Sequence, residues 1–326
     1  LRLPVTNNFS MPVTPSTDLR PHAGKEQTPR KPTVALALGA GGAKGLAHIG
    51  AIEELEARGF EIVAIAGCSM GALIGGVHAA GKLEIYRDWV CSLDKFDVLK
   101  LVDWSFSLAG GGLIKGEKII GTMLELIGDV RIEDLPIVFT AVATDIERER
   151  EVWLTRGSLL DAVRASIAIP TLFRPHSIDG RLLVDGGLLN PVPVTPLIRE
   201  PADYVIAVSI DGPAETNLPV EISAGDTKPK GSIGRLLGLL LPNADLKTLE
   251  AGRPHEPSAL ELLGQSMDLM QANLSRLRLA AYQPDLLVQL ARNVSSAYAF
   301  YRARELIELG REKMRAALDT WRPSAR

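Results

Sequence analysis

The pentapeptide Gly67-Cys68-Ser69-Met70-Gly71 sets a hydroxyl between two glycines. It fits the pattern G-x-S-x-G, and its surroundings fit too. EIVAIAG before it is apolar enough for a buried strand, and SMGALIGGVHAAG after it has the small residues of a helix packed close to a sheet. Glycine at 67 and 71 lets the backbone bend sharply and keeps side chains off neighbouring segments. Ser69 would then stand at the head of a helix, whose N–H groups favour developing negative charge. The chemistry implied is nucleophilic attack on an acyl carbon. A plain strand-to-helix turn of small residues gives the same pattern.

A second glycine-rich turn, Gly39-Ala40-Gly41-Gly42-Ala43-Lys44-Gly45, also lies between a strand-like and a helix-like stretch. Such a loop offers unpaired backbone N–H groups to an anion. The dinucleotide pattern G-x-G-x-x-G fails because Lys44 stands where its last glycine belongs. The phosphate-loop pattern G-x-x-x-x-G-K-[ST] fails because Gly45 follows the lysine. An oxyanion hole remains, with donors aimed at the charged oxygen of a tetrahedral intermediate.

A nucleophilic serine needs a base. The chain has 5 histidines. His22 lies in the N-terminal arm and His255 in a long loop-like segment. His48 and His78 fall inside helices, where packing is the ordinary role. His176 is the histidine best placed for a triad, although the acid and histidine expected late in an α/β-hydrolase chain are missing. Asp185-Gly186-Gly187 is an alternative: it ends a strand, so its carboxylate should emerge at the sheet edge that bears the elbow. By itself Asp-Gly-Gly reads first as a plain turn. Asp145 and Asp211, also near strand ends, read as turn or cap residues. Ser166 should pack or hydrogen-bond near the site, and Asn190 should fix the Asp-Gly-Gly loop.

The elements that must position these groups follow from hydrophobic pattern. TVALALG, EIVAIAG, PIVFTAVATD, REVWLT, GRLLVDGG, DYVIAVSID and PDLLVQLA read as strands. AKGLAHIGAIEELEARGF, SMGALIGGVHAAG, SLLDAVRASIAIP, LELLGQSMDLMQANLSRLRLAAY and SAYAFYRARELIELGREKMRAALDTW read as helices. Residues 83–135 read as mostly helical, with a glycine-rich break at 109–112. Alternation of strand and helix predicts an α/β fold, a mainly parallel sheet in a three-layer αβα arrangement. Residues 1–32 read as a mobile arm, 33–326 as a single domain, and 212–256 as a long loop or lid-like insertion.

Several of these stretches, in this order, resemble the bacterial patatin-like phospholipase family. The likeness rests on ALGAGGAKGLAHIGAIEEL, GCSMGALIGG, GLIKGEKI, FTAVATDIERERE, RASIAIPTLFRP and LLVDGGLLNPVPV. It spans about residues 33–211. The resemblance implies a Ser–Asp dyad that needs no histidine. Ser69 then matches the nucleophile and Asp185 the base. Gly41, Gly42 and Ala43 match the oxyanion loop, with Lys44 beside them; Gly67 and Gly71 flank the elbow, and Gly186 and Gly187 form the loop after the base. The family often has glycine at the place of Ala40 and arginine at that of Lys44. The expected substrates are fatty-acyl esters of phospholipids or related lipids. The alternatives are an esterase or thioesterase acting on small soluble acyl groups, and a non-catalytic regulator that binds lipid or a partner.

Composition bounds the rest. The 326 residues, 46% hydrophobic and 23% charged, suit an ordinary globular protein. A net charge of −3 gives no basic surface for nucleic acid. The 2 cysteines, Cys68 and Cys91, make neither a disulfide framework nor a zinc site, and no metal or other cofactor is expected. Apolar runs such as 34–43 and 236–241 fall well short of the roughly 20 residues of a spanning helix. With no signal-like apolar segment at the start, a bacterial cytoplasmic location with transient contact at a membrane surface is expected. Trp104, Phe106, Leu108, Leu113, Ile114 and residues 236–241 are the expected walls or lid of a greasy groove.

Overall fold

The computed structural model describes residues 30–101, 112–215 and 259–323. Nearly all of the expected N-terminal arm and of the 212–256 insertion, with Trp104, Phe106, Leu108, residues 236–241, His22 and His255, lie outside them.

Strand β1 (Thr33–Leu38) shows how this sequence makes layers. Successive strand side chains point to opposite faces. Val34, Leu36 and Leu38 therefore enter one hydrophobic cluster, and Ala35 and Ala37 another. The large cluster is completed by helices α1 (Ala47–Ala57) and α2 (Met70–Ala79). The alanine face is shallower. It packs on Val192, Val194 and Leu197, and on Leu279 of a long later helix. Strand β2 (Glu61–Cys68) repeats the pattern, with Ala64 and Ala66 on the alanine side.

After α2 come α3 (Leu83–Ser92), α4 (Lys95–Leu101), β3 (Gly112–Ile114) and α5 (Glu117–Ile127). Then follow β4 (Val138–Asp145), β5 (Arg150–Leu154), α6 (Leu159–Ser166), β6 (Thr171–Phe173), β7 (His176–Ile178) and β8 (Arg181–Asp185). The last elements are β9 (Tyr204–Gly212), α7 (Ala259–Ala281), β10 (Leu286–Ala291) and α8 (Ala303–Thr320).

The main sheet runs β10-β9-β1-β2-β4-β8-β7, with β5 paired to β4. The pairings from β10 through β4 are parallel, while β5, β8 and β7 pair antiparallel. This is the expected α/β architecture. Two features differ from the sequence pattern. The apolar run after the glycine loop opens as a 3-10 turn, Gly42–Leu46, before α1 begins at Ala47. The short strands β3 and β6 form a separate two-stranded parallel sheet. Three-residue strands are too short to show periodicity. Ile114 of β3, expected on a groove wall, is buried. Among the described residues, no helix is long and apolar enough to cross a membrane.

Candidate active site

The elbow forms where β2 hands over to α2. Ser69 adopts φ 54°, ψ −121°, a positive φ that costs a non-glycine residue energy. The turn is tight enough that a methyl group on Gly71 would lie 2.1 Å from the Leu38 carbonyl oxygen. A brace holds it from beneath. Ser166, fully buried at the end of α6, accepts the Ser69 N–H at 2.9 Å and donates its hydroxyl to the Val142 carbonyl at 2.6 Å.

Asp185 reaches the elbow by a route that corrects the strand-edge argument. Its strand β8 runs antiparallel, so its end should point away from the C-terminal edge of the parallel strands. The strand is short and pairs only with the last part of β4, setting Asp185 opposite Ala143. On the other side of β4, Cys68 is opposite Val142. Ser69 and Asp185 thus come level across one intervening strand, near enough for the Ser69 side chain to act on the Asp185 carboxylate.

Both groups are nearly covered, Ser69 at 4% exposure and Asp185 at 2%. Burial pushes the Asp185 pKa up to about 6, against the opposing pull of the nearby Ser69 hydroxyl, the Gly187 N–H and the Cys68 thiol. The Gly187 N–H donates to Oδ1 at 2.7 Å. The Cys68 thiol lies 3.9 Å from the same oxygen, and burial raises its own pKa well above the ordinary thiol value. A carboxylate of this kind is a better proton acceptor near neutral pH than a solvated one.

The glycine loop is fastened at several places. Gly39 N–H donates to Val208 O at 3.0 Å, Ala40 N–H to Pro191 O at 2.8 Å, and Ala43 N–H to Ala297 O at 2.8 Å. Among the described residues the Gly41 and Gly42 amides have no hydrogen-bond partner in the protein. Gly42 has φ 55°, and a methyl group there would lie 2.7 Å from the Ala297 oxygen.

The expected oxyanion set therefore contracts. Ala43 has its N–H committed to Ala297, because the chain has already turned into the 3-10 segment. The Lys44 ammonium is directed to the β9–β10 side, donating to the Arg292 carbonyl at 3.3 Å and lying 3.9 Å from Asp211. Gly41 and Gly42 keep donors free for an anion.

The remaining candidates have local partners. His176 Nε2 is 2.9 Å from Asp161 Oδ1. Asp145 accepts from the Arg148 N–H and guanidinium at 3.0 Å, tying the β4–β5 turn. Asn190 donates to Thr195 Oγ1 at 3.2 Å, and its N–H bonds Gly186 O at 2.8 Å, which closes the loop after Asp185. Sequence reading gave no sign of Cys68 as a neighbour of Asp185, or of the 292–297 turn behind the glycine loop. Both depend on long-range register.

A family model described as Patatin-like phospholipase matches residues 36–198. An uncharacterized NTE family protein of Mycobacterium tuberculosis is 38% identical over 334 residues, covering 89% of this chain and 92% of that protein. The neuropathy target esterase sws of Drosophila melanogaster is 31% identical over 195 residues, 57% of this chain and 13% of its own. Among solved structures, VipD from Legionella pneumophila gives a TM-score of 0.43 at 15% identity, over 90% of this chain and 67% of that one, a likeness too slight to argue from.

Proposed function

This chain belongs to the patatin-like phospholipase family, and we propose that it cleaves fatty-acyl esters of phospholipids or related lipids through an acyl-enzyme on Ser69, with Asp185 as general base. The observation that carries this reading is the register that sets Ser69 level with Asp185 across one strand, where the carboxylate is buried and its pKa raised to about 6.

Asp185 takes the hydroxyl proton as Ser69 Oγ bonds to the ester carbonyl carbon. The carbonyl π pair moves onto oxygen, and the Gly41 and Gly42 N–H groups hold that oxyanion. The tetrahedral species collapses, its bond to the leaving oxygen breaks, and Asp185 returns the proton to that oxygen. Water then attacks the acyl-Ser69 ester while Asp185 accepts one of its protons. Collapse expels Ser69 Oγ, which recovers the proton from Asp185, and a fatty acid leaves. No histidine takes part.

A lipid substrate also asks for a surface. Helix α7 lies against the Asp185 loop, since a methyl on Gly187 would fall 2.7 Å from Gln271 Nε2. It leaves Leu262, Leu263, Leu269, Met270 and Leu277 exposed. These apolar groups support transient contact with a lipid–water interface.

The test is hydrolysis of phospholipid, p-nitrophenyl ester and acyl-CoA by wild type, Ser69→Ala and Asp185→Asn, with fluorophosphonate labelling alongside. Phospholipid cleavage that both substitutions abolish supports the reading. Turnover of small soluble esters alone replaces it with a general esterase. Equal, weak labelling of wild type and Ser69→Ala replaces it with a non-catalytic regulator.

A further inference from the structure

His48 sits in the first turn of α1 with its side chain fully covered. Nε2 lies 2.8 Å from the Gly39 carbonyl oxygen. Nδ1 is also buried and has no hydrogen-bond partner. A carbonyl oxygen can only accept, so Nε2 carries the hydrogen and Nδ1 keeps a bare lone pair. Burial lowers the pKa of this imidazole to about 4, opposed by the bond to Gly39, which keeps the ring neutral at ordinary pH. A covered polar ring with an unused acceptor is costly to bury. An apolar side chain at this position would avoid that cost, so the single bond to Gly39 is the feature that needs an explanation.

The Gly39 oxygen belongs to the peptide plane joining Gly39 to Ala40. The N–H of that plane donates to Pro191 O at 2.8 Å. Both ends of the plane are therefore fastened. Further along, the bond from Ala43 N–H to Ala297 O, also 2.8 Å, fastens the plane joining Gly42 to Ala43. Between these anchors hang two planes, which carry the Gly41 and Gly42 N–H groups. Glycine torsions are permissive, so nothing intrinsic to the chain aims those groups. The two fastened planes set their direction.

We propose that His48 is a positioning residue for acyl transfer at Ser69: by holding the Gly39–Ala40 peptide it aims the Gly41 and Gly42 amides at the developing oxyanion, without touching substrate or exchanging a proton. This rests on the reading of Ser69 and the two glycine amides given above.

The decisive variants are His48→Gln and His48→Asn, with His48→Leu beside them. The Gln Nε2 lies as many bonds from Cα as the His Nε2, so it can reach the Gly39 oxygen; the Asn amide is one carbon short. In His48→Asn we expect kcat to fall about 10- to 100-fold with KM within about twofold, and His48→Gln to recover most of the loss. The amide 1H–15N signals of Gly41 and Gly42 should move in His48→Asn and return in His48→Gln. Should His48→Leu fail to fold, the Asn and Gln variants, equal in polarity, still decide. Wild-type kcat and unmoved glycine signals in His48→Asn would overturn the proposal, as would equal losses in Asn and Gln variants. If wild type turns over no acyl ester, the functional reading fails, and the glycine signals alone judge the role of His48.

Discussion

The Ser166 hydroxyl sits directly under the Ser69 backbone, accepting its N–H at 2.9 Å while donating to Val142 at 2.6 Å. A residue in the strained φ of Ser69 stays there only if its surroundings insist on it. Ser166→Ala leaves a buried N–H and a buried carbonyl without this partner. We expect a loss of about 1–3 kcal/mol in urea denaturation, together with slower fluorophosphonate labelling of Ser69. Unchanged stability and unchanged labelling would remove the brace from the account.

In the proposed mechanism Asp185 acts as base only when ionised. With its pKa at about 6, kcat/KM should fall as pH drops through that value and level off above it. Because the proposed mechanism uses no histidine, His176→Ala should leave this acid limb where it is. A limb that disappears in His176→Ala would favour a triad.

Burial that raises a carboxyl pKa also makes the folded state hold its proton more tightly than the unfolded one. The penalty on Asp185 is absent below the ordinary carboxyl pKa, grows as pH rises towards about 6, and levels off above it. Asp185→Asn should therefore be inactive yet equally or more stable at pH 8, by at most about 3 kcal/mol. Its advantage should shrink at pH 5. Thermal denaturation at the two pH values checks both the sign and the trend.

Gly71→Ala tests the tightness of the elbow. The new methyl would meet the Leu38 backbone oxygen at 2.1 Å, and neither partner is a flexible side chain. We expect destabilisation of about 3 kcal/mol or more, or insoluble protein. Full stability in chemical denaturation would mean that the turn has slack.

Much of this was readable before any coordinates. The apolar runs 33–38 and 61–68 gave the buried strands, and glycines beside Ser69 gave the elbow, because local pattern and turn chemistry are encoded in neighbouring residues. The strand-edge argument offered Asp185 and the resemblance gave it a role, but the route of its approach was not readable, since the direction and register of β8 depend on which stretch of β4 it pairs with. Lys44 misled for a related reason. Its place in the glycine motif says nothing of Asp211 and Arg292, which draw its ammonium aside from far along the chain. His48 looked like an ordinary helical residue because its partner is a backbone oxygen, which no side-chain motif reports.

Helices α1 and α8 touch through backbone. A methyl on Gly50 would fall 1.8 Å from the Ile307 oxygen, and one on Gly310 would fall 1.9 Å from the Ala47 oxygen. Ala47 is where α1 leaves the glycine loop, and residue 310 lies far beyond the stretch that the family model matches. The last helix therefore acts as a backstop for the glycine loop that leads into α1. A fragment trimmed to residues 36–198 would retain Ser69 and Asp185 and lose the wall behind the Gly41 and Gly42 amides.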